Sequence, residues 1–461
     1  MKRIQVILAI FICKFTRRIL RILGRGGTHL PGVVALKCCP DLLGELGQQV
    51  QTVMVTGTNG KTTSARMLEE CWKLSGASVF ANRSGANLST GIATEFAVNA
   101  TWLGKMKAGC AVIECDEAEF KRVASELMPK VILVTNIFCD QLDRYGEITH
   151  TVRFIRAGLE SVPEATICIN ADCAFSASLT VGLPNPLHYF GMEVQLYEKT
   201  EESVVPENTC CWACGNRFTY TSRTYGHLGV YHCEQCAEKR PVPDVVVSEV
   251  LEETAETTKV ALCIGEKRDE KHEVLINMPG AYNIYNAAGV IAVGRVLNVD
   301  ISLIMQAFLA FQGGFGRMER FSLGEQAVCM ALIKNPIGCS QVLRYLERLE
   351  QDMTLAFCLN DREGDGKDVS WIWDVDAGSL ARMGERLKRV YCSGIRADEL
   401  AVWIKYSGIC EEKIHVEYDL GQLLSRISVS STPVFIMPSY TAMITLRERL
   451  SKNYGLAKIW E

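Results

Sequence analysis

Residues 53–63 read Val-Met-Val-Thr-Gly-Thr-Asn-Gly-Lys-Thr-Thr, an apolar strand followed by a glycine-containing turn and the start of a helix. Gly57 and Gly60 let successive backbone N–H groups turn toward one phosphate chain, and the helix N-terminus adds a favourable dipole. Lys61 would reach the β- and γ-phosphates of a nucleotide, and the Thr62 hydroxyl would bind Mg²⁺. The residues predicted to contact the nucleotide here are Gly57, Thr58, Asn59, Gly60, Lys61, Thr62 and Thr63.

A second apolar run, residues 110–113, ends in three carboxylates, Glu114, Asp116 and Glu117. Mg²⁺ takes a few protein oxygens alongside phosphates and water, so acids at a strand tip beside a phosphate loop suit it. We predict Glu117 as the magnesium ligand, supported by the other two acids. The alternative is a solvated acidic turn. Asn136 and Asp140 follow the next strand and should lie at the same edge of the sheet, where ligands of open α/β sheets collect.

Short apolar runs alternate with helical segments along most of the chain, which predicts parallel sheets covered by helices. This alternation stops at about 195–265, where polar and hairpin-like runs replace it, and resumes near residue 328. Predicted strands are 53–55, 79–81, 111–114, 131–135, 166–170, 328–333, 355–359, 389–392 and 434–437. Predicted helices are 62–75, 121–126, 282–297, 301–311, 341–349, 381–388 and 397–406.

Three parts follow from this pattern. Residues 1–48 form an N-terminal amphipathic helix and a loop, residues 49–325 form the nucleotide domain, and residues 326–461 form a C-terminal Rossmann-like α/β domain. The nucleotide domain should contain a mostly parallel sheet with helices on both faces. A small insertion at about 205–240 interrupts it.

The insertion contains Cys211-x₂-Cys214 and Cys233-x₂-Cys236, separated by 18 residues. This spacing predicts a Cys₄ zinc ribbon, and four thiolates that leave no open position make such a site structural. A nucleic-acid ribbon is the competing interpretation. The net charge of −4 gives no basic field that would attract a nucleic-acid backbone, so no nucleic-acid partner is expected.

Twenty cysteines are many for a chain of 461 residues, but their scattered spacing does not resemble a disulfide framework. Most lie in or beside apolar runs, where a free thiol packs as a small hydrophobic group. The cysteines predicted to pack in this way include Cys71, Cys110, Cys115, Cys168, Cys358 and Cys410. A reducing cytoplasm is the expected compartment.

Residues 4–13 are apolar apart from Gln5 and are flanked on both sides by lysines and arginines. A ten-residue run cannot span a bilayer as a helix, which needs about 20 residues, and no small-residue cleavage site of a signal peptide follows it. Two interpretations remain. The segment is either an amphipathic helix packed on its own domain or a helix resting on an anionic membrane surface. The second would place the protein at the inner face of the plasma membrane.

Together these features resemble the central domain of the Mur ligase family, which couples ATP to amide formation on peptidoglycan precursors. Asn170-Ala-Asp172 resembles the family's strand after the ATP site. Residues 280–287, Gly-Ala-Tyr-Asn-Ile-Tyr-Asn-Ala, resemble a family helix start, so the resemblance implies that Asn283 and Asn286 border the adenine. Gly316-Arg-Met-Glu319 implies that Arg317 touches the nucleotide. Residues 334–338, Lys-Asn-Pro-Ile-Gly, stand where relatives carry a linker into their third domain.

Two departures from the family are visible. Relatives carry a histidine metal ligand where this chain has Gln141, which leaves a second metal site open to question. Only residues 1–52 precede the apolar strand of the phosphate loop, fewer than the usual UDP-sugar domain needs. An ordinary mode of binding a UDP-linked precursor is therefore not expected.

The cysteine ribbon and the last domain resemble one branch of the family, the MurT ligases. Residues 360–374, Asn-Asp-Arg-Glu-Gly-Asp-Gly-Lys-Asp-Val-Ser-Trp-Ile-Trp-Asp, and residues 438–443, Pro-Ser-Tyr-Thr-Ala-Met, carry this resemblance. It implies the synthetase subunit of a lipid II isoglutaminyl synthase, which uses ATP to amidate the α-carboxylate of D-glutamate in the lipid II stem peptide through an acyl phosphate. Ammonia would come from a partner glutaminase subunit of the GatD type.

In that branch a third-domain aspartate completes the partner's Cys–His pair, as the acid of a catalytic triad does. Asp368 is the first candidate and Asp374 the second; alternatively, these acids only cap turns and helices. The predicted catalytic residues are thus Asp368, Asp374, Lys61 and Glu117, with ATP, Mg²⁺ and structural Zn²⁺ as cofactors. Two other functions remain open. One is a folylpolyglutamate- or muramyl-peptide-type ligase that adds an amino acid without a partner, and the other is a nucleotide-regulated binding protein.

Overall fold

The computed structural model describes residues 2–23, 27–82, 86–138, 148–195, 210–265, 267–311, 313–314 and 316–456. Two residues named above, Asp140 and Gln141, lie outside these ranges. The first part of the predicted insertion, up to residue 209, also lies outside them. The architecture below concerns the described part of the chain.

The first eleven described strands form a large sheet and a separate hairpin. In chain order they are β1 Gln51–Thr56, β2 Val79–Ala81, β3 Cys110–Glu114, β4 Val131–Val134, β5 Thr166–Asn170, β6 Leu187–Met192, β7 Thr219–Tyr225, β8 Leu228–His232, β9 Val245–Glu253, β10 Thr258–Ile264 and β11 Glu270–Ile276. The large sheet has the order β11-β10-β9-β6-β5-β4-β1-β3-β2, while β7 and β8 pair only with each other. Strands β1 to β6 and β9 run parallel, and β10 and β11 continue antiparallel.

Strand β1 lies inside the sheet, between β4 and β3. Val53, Met54 and Val55 are fully buried, so the strand is apolar on both of its faces, as expected when helices cover a parallel sheet on both sides. The carboxyl end of such a strand opens at the edge where ligands of α/β sheets bind. The glycine-containing turn that begins at Gly57 follows directly from this end.

Ten described helices accompany these strands. They are α1 Lys2–Ile22, α2 Leu30–Cys38, α3 Leu42–Gly47, α4 Lys61–Leu74, α5 Ser89–Asn99, α6 Phe120–Leu127, α7 Ile148–Glu160, α8 Ala174–Ser178, α9 Ala281–Val296 and α10 Ile301–Ala310. Helix α4 packs against α9 and α10, whereas α6 packs against α3 and α7. Helix α9 is apolar nearly all round and is buried along most of its length, as a helix between two layers must be.

The N-terminal helix α1 packs on the nucleotide domain through α2 and α5. Its buried side chains are Val6, Ala9, Ile10 and Cys13, which recur three or four positions apart and so share one face. α1 is therefore an amphipathic helix that packs on its own domain through one face. Among the described helices, none is long and apolar enough to cross a bilayer.

The second sheet belongs to the C-terminal part. Its strands are β12 Glu319–Leu323, β13 Gln326–Met330, β14 Met353–Cys358, β15 Leu387–Ser393, β16 Ile414–Glu417 and β17 Val434–Pro438. Their order is β12-β13-β17-β14-β15-β16, with all pairs parallel except the β12–β13 hairpin. Its α-helices are α11 Pro336–Arg348, α12 Gly378–Met383, α13 Ala397–Tyr406, α14 Leu420–Ile427 and α15 Tyr440–Tyr454. The predicted α/β fold class, with a C-terminal α/β domain, is confirmed.

In the stretch at 195–265, where hairpin-like runs replace the alternation, the antiparallel pair β9–β10 extends the large sheet, and β11 follows. Two local predictions were wrong. Helix 381–388 was expected as one element, but Gly384 takes φ +57° and ends α12, and strand β15 begins at Leu387. Cys410 was expected to pack in an apolar environment and is exposed instead, beside a short 3₁₀ turn.

The remaining cysteine predictions hold in most positions. Cys71, Cys115, Cys168 and Cys358 are buried and Cys110 is half-buried. Every cysteine in the described part of the chain is free. Burial raises the pKa of the Cys71 thiol to about 12, which keeps this thiol protonated and unreactive at neutral pH.

Candidate functional site

Two glycines give the phosphate loop its shape. Gly57 and Gly60 adopt φ of +118° and +86°, which disfavours any residue with a side chain. A Cβ atom on Gly57 would lie 2.5 Å from Thr135 Oγ1, and one on Gly60 would lie 2.0 Å from Asn286 Oδ1. Neither position has room for a side chain. The loop therefore needs both glycines for backbone conformation and for close packing.

Asn136, at the end of β4, fixes the loop from the side. Its backbone oxygen accepts from the Thr58 N–H at 2.8 Å, and its Oδ1 accepts from the Asn59 N–H at 3.0 Å. Its Nδ2 donates to the Asn59 carbonyl at 3.1 Å. These bonds hold the loop before any ligand arrives, so little ordering remains to be done on binding. Asn136 thus lies at the predicted edge of the sheet.

Lys61, the first residue of α4, is buried inside the loop. Its Nζ donates to Gly57 O at 2.5 Å and to Glu117 Oε1 at 2.6 Å. Burial alone would lower the pKa of Lys61, but the negative charges of Glu117, Asp116 and Glu114 outweigh it and raise the pKa above its ordinary value. The ammonium group therefore stays charged and is held where phosphate oxygens would meet the loop.

The acids at the end of β3 and just after it contact two different residues, Lys61 and Thr62. The Thr62 hydroxyl donates to Glu114 Oε2 at 2.7 Å, whereas Glu117 bonds to Lys61. Asp116 accepts from the Ala118 N–H at 3.1 Å through Oδ1. All three acids are buried. A hydroxyl and carboxylates converging beside a lysine provide the oxygen ligands that Mg²⁺ prefers, so these residues fit the metal.

The family-implied asparagines lie at the start of α9. Asn283 Nδ2 donates to Pro279 O at 2.7 Å, and Asn286 Nδ2 donates to Asn283 Oδ1 at 3.3 Å. Both side chains are buried, and Asn286 lies against Gly60. The structure therefore brings Asn286 to the phosphate loop itself, with Asn283 bracing it from behind.

Arg317 lies close enough to the same acids for their charges to act on it. Burial lowers the pKa of its guanidinium and the Arg66 charge adds to this effect, whereas the Glu114 charge opposes it. No hydrogen bond or ion pair is found for the Arg317 side chain among residues with a described position. A half-buried guanidinium without such a partner suits an anionic ligand.

The segment that connects the two sheets touches the phosphate loop. Asn335 Nδ2 donates to Asn59 Oδ1 at 3.0 Å, and Lys334 Nζ donates to Thr58 O at 3.4 Å. Asn335 also caps α11, since its Oδ1 accepts from the Gly338 N–H at 2.8 Å. In sequence, residues 334–338 resemble only a linker between two domains. The Asn-Pro pair at a helix start was the signal for the cap, but nothing in the sequence indicated the contact with the loop.

The four predicted zinc ligands are brought together. Cys211 Sγ lies 3.5 Å from Cys236 Sγ, and Cys214 Sγ lies 3.4 Å from Cys233 Sγ. All four sulfurs lie within 4.8 Å of one another. A tetrahedron with Zn–S bonds of about 2.3 Å has edges of about 3.8 Å. The cluster therefore fits one zinc ion with four thiolate ligands and no open position.

A buried polar network ties the β7–β8 hairpin to the nucleotide domain. Asp172, fully buried after β5, accepts from Arg240 Nε at 2.6 Å and from the Tyr285 hydroxyl at 2.6 Å. The Tyr285 hydroxyl oxygen in turn accepts from Thr224 Oγ1 in β7 at 3.0 Å. These hydrogen bonds link the hairpin to the end of β5. They are buried away from water, where hydrogen bonds are strongest.

We expect Cys233→Ser to lose the zinc and to loosen the ribbon, because a hydroxyl is a poor substitute for a thiolate ligand and structural zinc contributes folding free energy. Hydrogen exchange should rise across 211–236 while β1 and β4 stay protected, and mass spectrometry should find less zinc per chain. Cys210→Ser is the matched control because Cys210 is exposed and adjacent to the cluster. If both variants lost zinc equally, the predicted ligand set would be wrong.

The third-domain aspartates differ in how much of each carboxylate is available. Asp365 is buried and accepts from the Thr441 N–H at 2.7 Å and the Arg362 N–H at 3.2 Å. Asp368 and Asp374 are exposed. Asp368 accepts from the Ser370 N–H at 2.8 Å, and its hydrogen bonds to Ser370 lower the pKa of its carboxyl. Both predicted candidates are accessible to a partner.

Comparison with known proteins places this geometry in a family. A model of the Mur ligase middle domain matches residues 55–231, and a model of the MurT ligase C-terminal domain matches residues 332–443. The lipid II isoglutaminyl synthase (glutamine-hydrolyzing) subunit MurT of Streptococcus pneumoniae is 35% identical over 441 residues, which cover 95% of this chain and 96% of the relative. The same subunit of Staphylococcus aureus is 31% identical, covering 97% of this chain and 98% of the relative.

Solved structures show the same fold. A pseudomurein peptide ligase type C from Methanothermus fervidus superposes with a TM-score of 0.64 at 22% identity, covering 88% of this chain and 79% of the other. A crystal structure of MurF from Acinetobacter baumannii superposes with a TM-score of 0.65 at 16% identity, covering 92% and 81%.

Proposed function

Because the chain belongs to the MurT family of Mur ligases, we propose that it is the ATP-dependent synthetase subunit of a lipid II isoglutaminyl synthase. The observation that carries this proposal is the cluster at the start of α4. There Lys61 Nζ lies 2.6 Å from Glu117 Oε1 and Thr62 Oγ1 lies 2.7 Å from Glu114 Oε2, beneath a glycine turn. This arrangement suits the phosphates of ATP. The family resemblance implies that the bound ATP activates a carboxylate of the substrate.

Each residue of the cluster has a proposed task. The N–H groups from Gly60 to Thr63 and the α4 dipole hold the phosphate chain, and Lys61 balances its charge. Thr62, Glu117 and Glu114 are the residues that would hold Mg²⁺, which neutralises charge on the phosphate oxygens when bound. Arg317 meets the γ-phosphate side, and Asn283 with Asn286 supports the loop beside the adenine.

The reaction proceeds in two transfers. The α-carboxylate of D-glutamate in the stem peptide attacks the γ-phosphorus, forming a C–O–P bond and releasing ADP. Ammonia then attacks the carbonyl carbon of this acyl phosphate, loses a proton, and expels inorganic phosphate to leave the amide of D-isoglutamine. The protein accelerates both steps chiefly by positioning the groups and by stabilising charge on the phosphoryl oxygens.

Ammonia is delivered by a partner. The relatives are named as subunits of a glutamine-hydrolyzing synthase, and we propose a GatD-type glutaminase as the second subunit here.

One Cys–His pair exists within the described chain: Cys173 Sγ lies 3.3 Å from His227 Nε2. Burial opposes ionisation of Cys173, while His227 lowers the pKa of its thiol. Both side chains are fully buried, so glutamine cannot reach this pair.

We further assign Asp368 as the acid that completes the partner's Cys–His pair, with Asp374 as the second candidate. Asp368 is exposed and its carboxyl has a lowered pKa, so at neutral pH it presents a negative charge to a neighbouring subunit. Asp365 is unsuitable because its carboxylate is buried and already accepts hydrogen bonds from Thr441 and Arg362.

The assembled enzyme would work in the cytoplasm, at the inner face of the plasma membrane where lipid II is made.

The test uses purified chain with lipid II, Mg·ATP and one nitrogen source at a time. With ammonium ions the chain alone should release ADP and convert the stem peptide to its amide, detected by mass spectrometry. With glutamine it should do so only after the glutaminase subunit is added. Incorporation of an amino acid in place of ammonia would instead support the alternative, a ligase that adds an amino acid without a partner.

A further inference from the structure

Helix α1 carries a second apolar face that the fold does not cover. Its members recur at intervals of three or four positions, so they form one continuous stripe along the helix. They are Ile4, Leu8, Phe11, Phe15, Ile19 and Ile22. Their exposed fractions run from 42% for Ile19 to 76% for Ile22, which is unusual for six large apolar side chains on one helix.

Packing within the chain does not account for this stripe. The residues that bind α1 to α2 and α5 are Val6, Ala9, Ile10 and Cys13, which lie on the opposite side of the helix. Their burial anchors α1 without using the stripe. A second apolar surface therefore extends along about five turns of α1 and faces away from the domain.

The loop after α5 extends this surface. Trp102 and Leu103 are 56% and 71% exposed, and the Trp102 ring lies 5.7 Å from the ring of Phe11. Phe11 in turn stacks with Phe15 at 6.2 Å. We call the six stripe residues together with Trp102 and Leu103 the α1 apolar surface. A tryptophan beside aliphatic and phenylalanine side chains is typical of the polar–apolar boundary of a bilayer.

Positive charge lines the α1 apolar surface. Helix α1 contains lysines and arginines but no acidic residue. Lys2 pairs with Asp41 and Arg17 pairs with Glu95, whereas Arg3, Arg18 and Arg21 are exposed and have no ion pair with any residue whose position is described. The exposed Lys105 and Lys107 follow Trp102 in the same loop.

We propose that the α1 apolar surface docks on an anionic phospholipid bilayer, with α1 lying in the plane of the interface. The apolar stripe would enter the boundary between headgroups and acyl chains, and the basic side chains at its rim would meet lipid phosphates. Burial of Val6 and Ile10 in the protein keeps α1 from inserting more deeply. This proposal stands apart from the catalytic one, since it concerns binding to lipid alone.

The charge pattern favours lipid over a protein occupant. A second copy of the chain would bring the same basic rim against itself, which is repulsive. An anionic bilayer offers opposite charge along the whole length of α1. The stripe is also long and narrow, the shape that an interfacial helix buries, rather than a compact patch.

The experiment is flotation of the full chain with vesicles of phosphatidylglycerol mixed with phosphatidylcholine, and with vesicles of phosphatidylcholine alone. We expect flotation with the anionic vesicles, weakening as salt rises, and little with the zwitterionic ones. Phe11→Glu/Phe15→Glu should reduce the bound fraction on the order of tenfold or more, because it places two carboxylates in the stripe. Both side chains are exposed, so thermal melting should be unchanged.

Val242→Glu/Val429→Glu is the matched control, because these side chains are 69% and 82% exposed and belong to other segments, before β9 and after α14. It should float as the unchanged chain does. Three results would overturn the proposal: no flotation with anionic vesicles, equal flotation of the Phe11/Phe15 variant, or a dimer in sedimentation equilibrium that this variant dissociates. The last result would identify a second copy as the occupant.

Discussion

Replacing Lys61 by alanine is expected to lower the rate of lipid II amidation at least about a thousandfold. A single cation that is positioned beside the oxygens of the transferred phosphoryl group accelerates the reaction by about this factor. Lys61 Nζ lies within the glycine turn, 2.5 Å from Gly57 O, where the phosphate chain would enter. Calorimetry should show greatly weakened ATP binding. Turnover near the unchanged rate, or undiminished ATP uptake, would contradict the assignment of this loop.

The alanine variant also leaves the buried carboxylate of Glu117 without its partner. Removing one member of a buried pair costs about 3–5 kcal/mol of stability, so a loss of activity alone would be ambiguous. Lys61→Arg separates the two effects, since it keeps the positive charge but replaces a compact ammonium with a larger planar group. We expect its thermal stability to recover toward that of the unchanged chain while its activity stays low.

The matched control for both variants is Lys73→Ala. Lys73 lies on the same helix, but its side chain is 43% exposed and pairs with Glu69 at 3.0 Å. Glu69 itself is only 6% exposed, but the Lys73 ammonium is hydrated, so this half-exposed pair contributes about 1 kcal/mol. Both stability and amidation should therefore change little. A comparable loss of activity in Lys73→Ala would show that α4 as a whole, rather than the lysine in the turn, is sensitive to substitution.

The phosphate loop was predictable because its signals are local. An apolar run, two glycines and the Lys-Thr pair follow one another within eleven residues, and each acts on the backbone beside it. The cysteine cluster was predictable for the same reason, since each Cys-x₂-Cys knuckle is a local turn. In both cases the structure brings together the residues that the spacing had grouped.

The hydrogen-bond partners of the residues in the site were less predictable from the sequence. The sequence placed Glu114, Asp116 and Glu117 at one strand tip, but it did not indicate which acid meets Lys61 and which meets Thr62. That choice depends on the path of the chain after β3. The contact of Asn335 with Asn59 joins residues 276 positions apart and left no trace in local spacing.

Two departures from the strand–helix pattern have physical causes. Strands β9, β10 and β11 have polar residues on part of their surface, because they form the antiparallel edge of the sheet and one face is partly solvated. Their alternation resembled that of free hairpins. The predicted helix at 381–388 followed its apolar spacing, but Gly384 breaks it and β15 pairs with β14 from Leu387 onward.

Asp368→Asn is expected to lower glutamine hydrolysis by the assembled enzyme by about ten-thousandfold, because an amide cannot hold a catalytic histidine in the required tautomer and orientation. Synthesis from ammonium ions should be nearly unchanged, since the ATP site at Lys61 is not altered. The split between the two nitrogen sources is therefore the decisive readout. A merely structural role for Asp368 would reduce both activities together.

Asp374→Asn is the matched control, since both acids are exposed and belong to the same segment of the third domain. If Asp374→Asn abolished glutamine hydrolysis and Asp368→Asn did not, the second candidate would be the triad acid. If neither variant changed hydrolysis, the chain would supply no acid from these positions. Asp368 is favoured because its hydrogen bond from the Ser370 N–H fixes the orientation of the carboxylate.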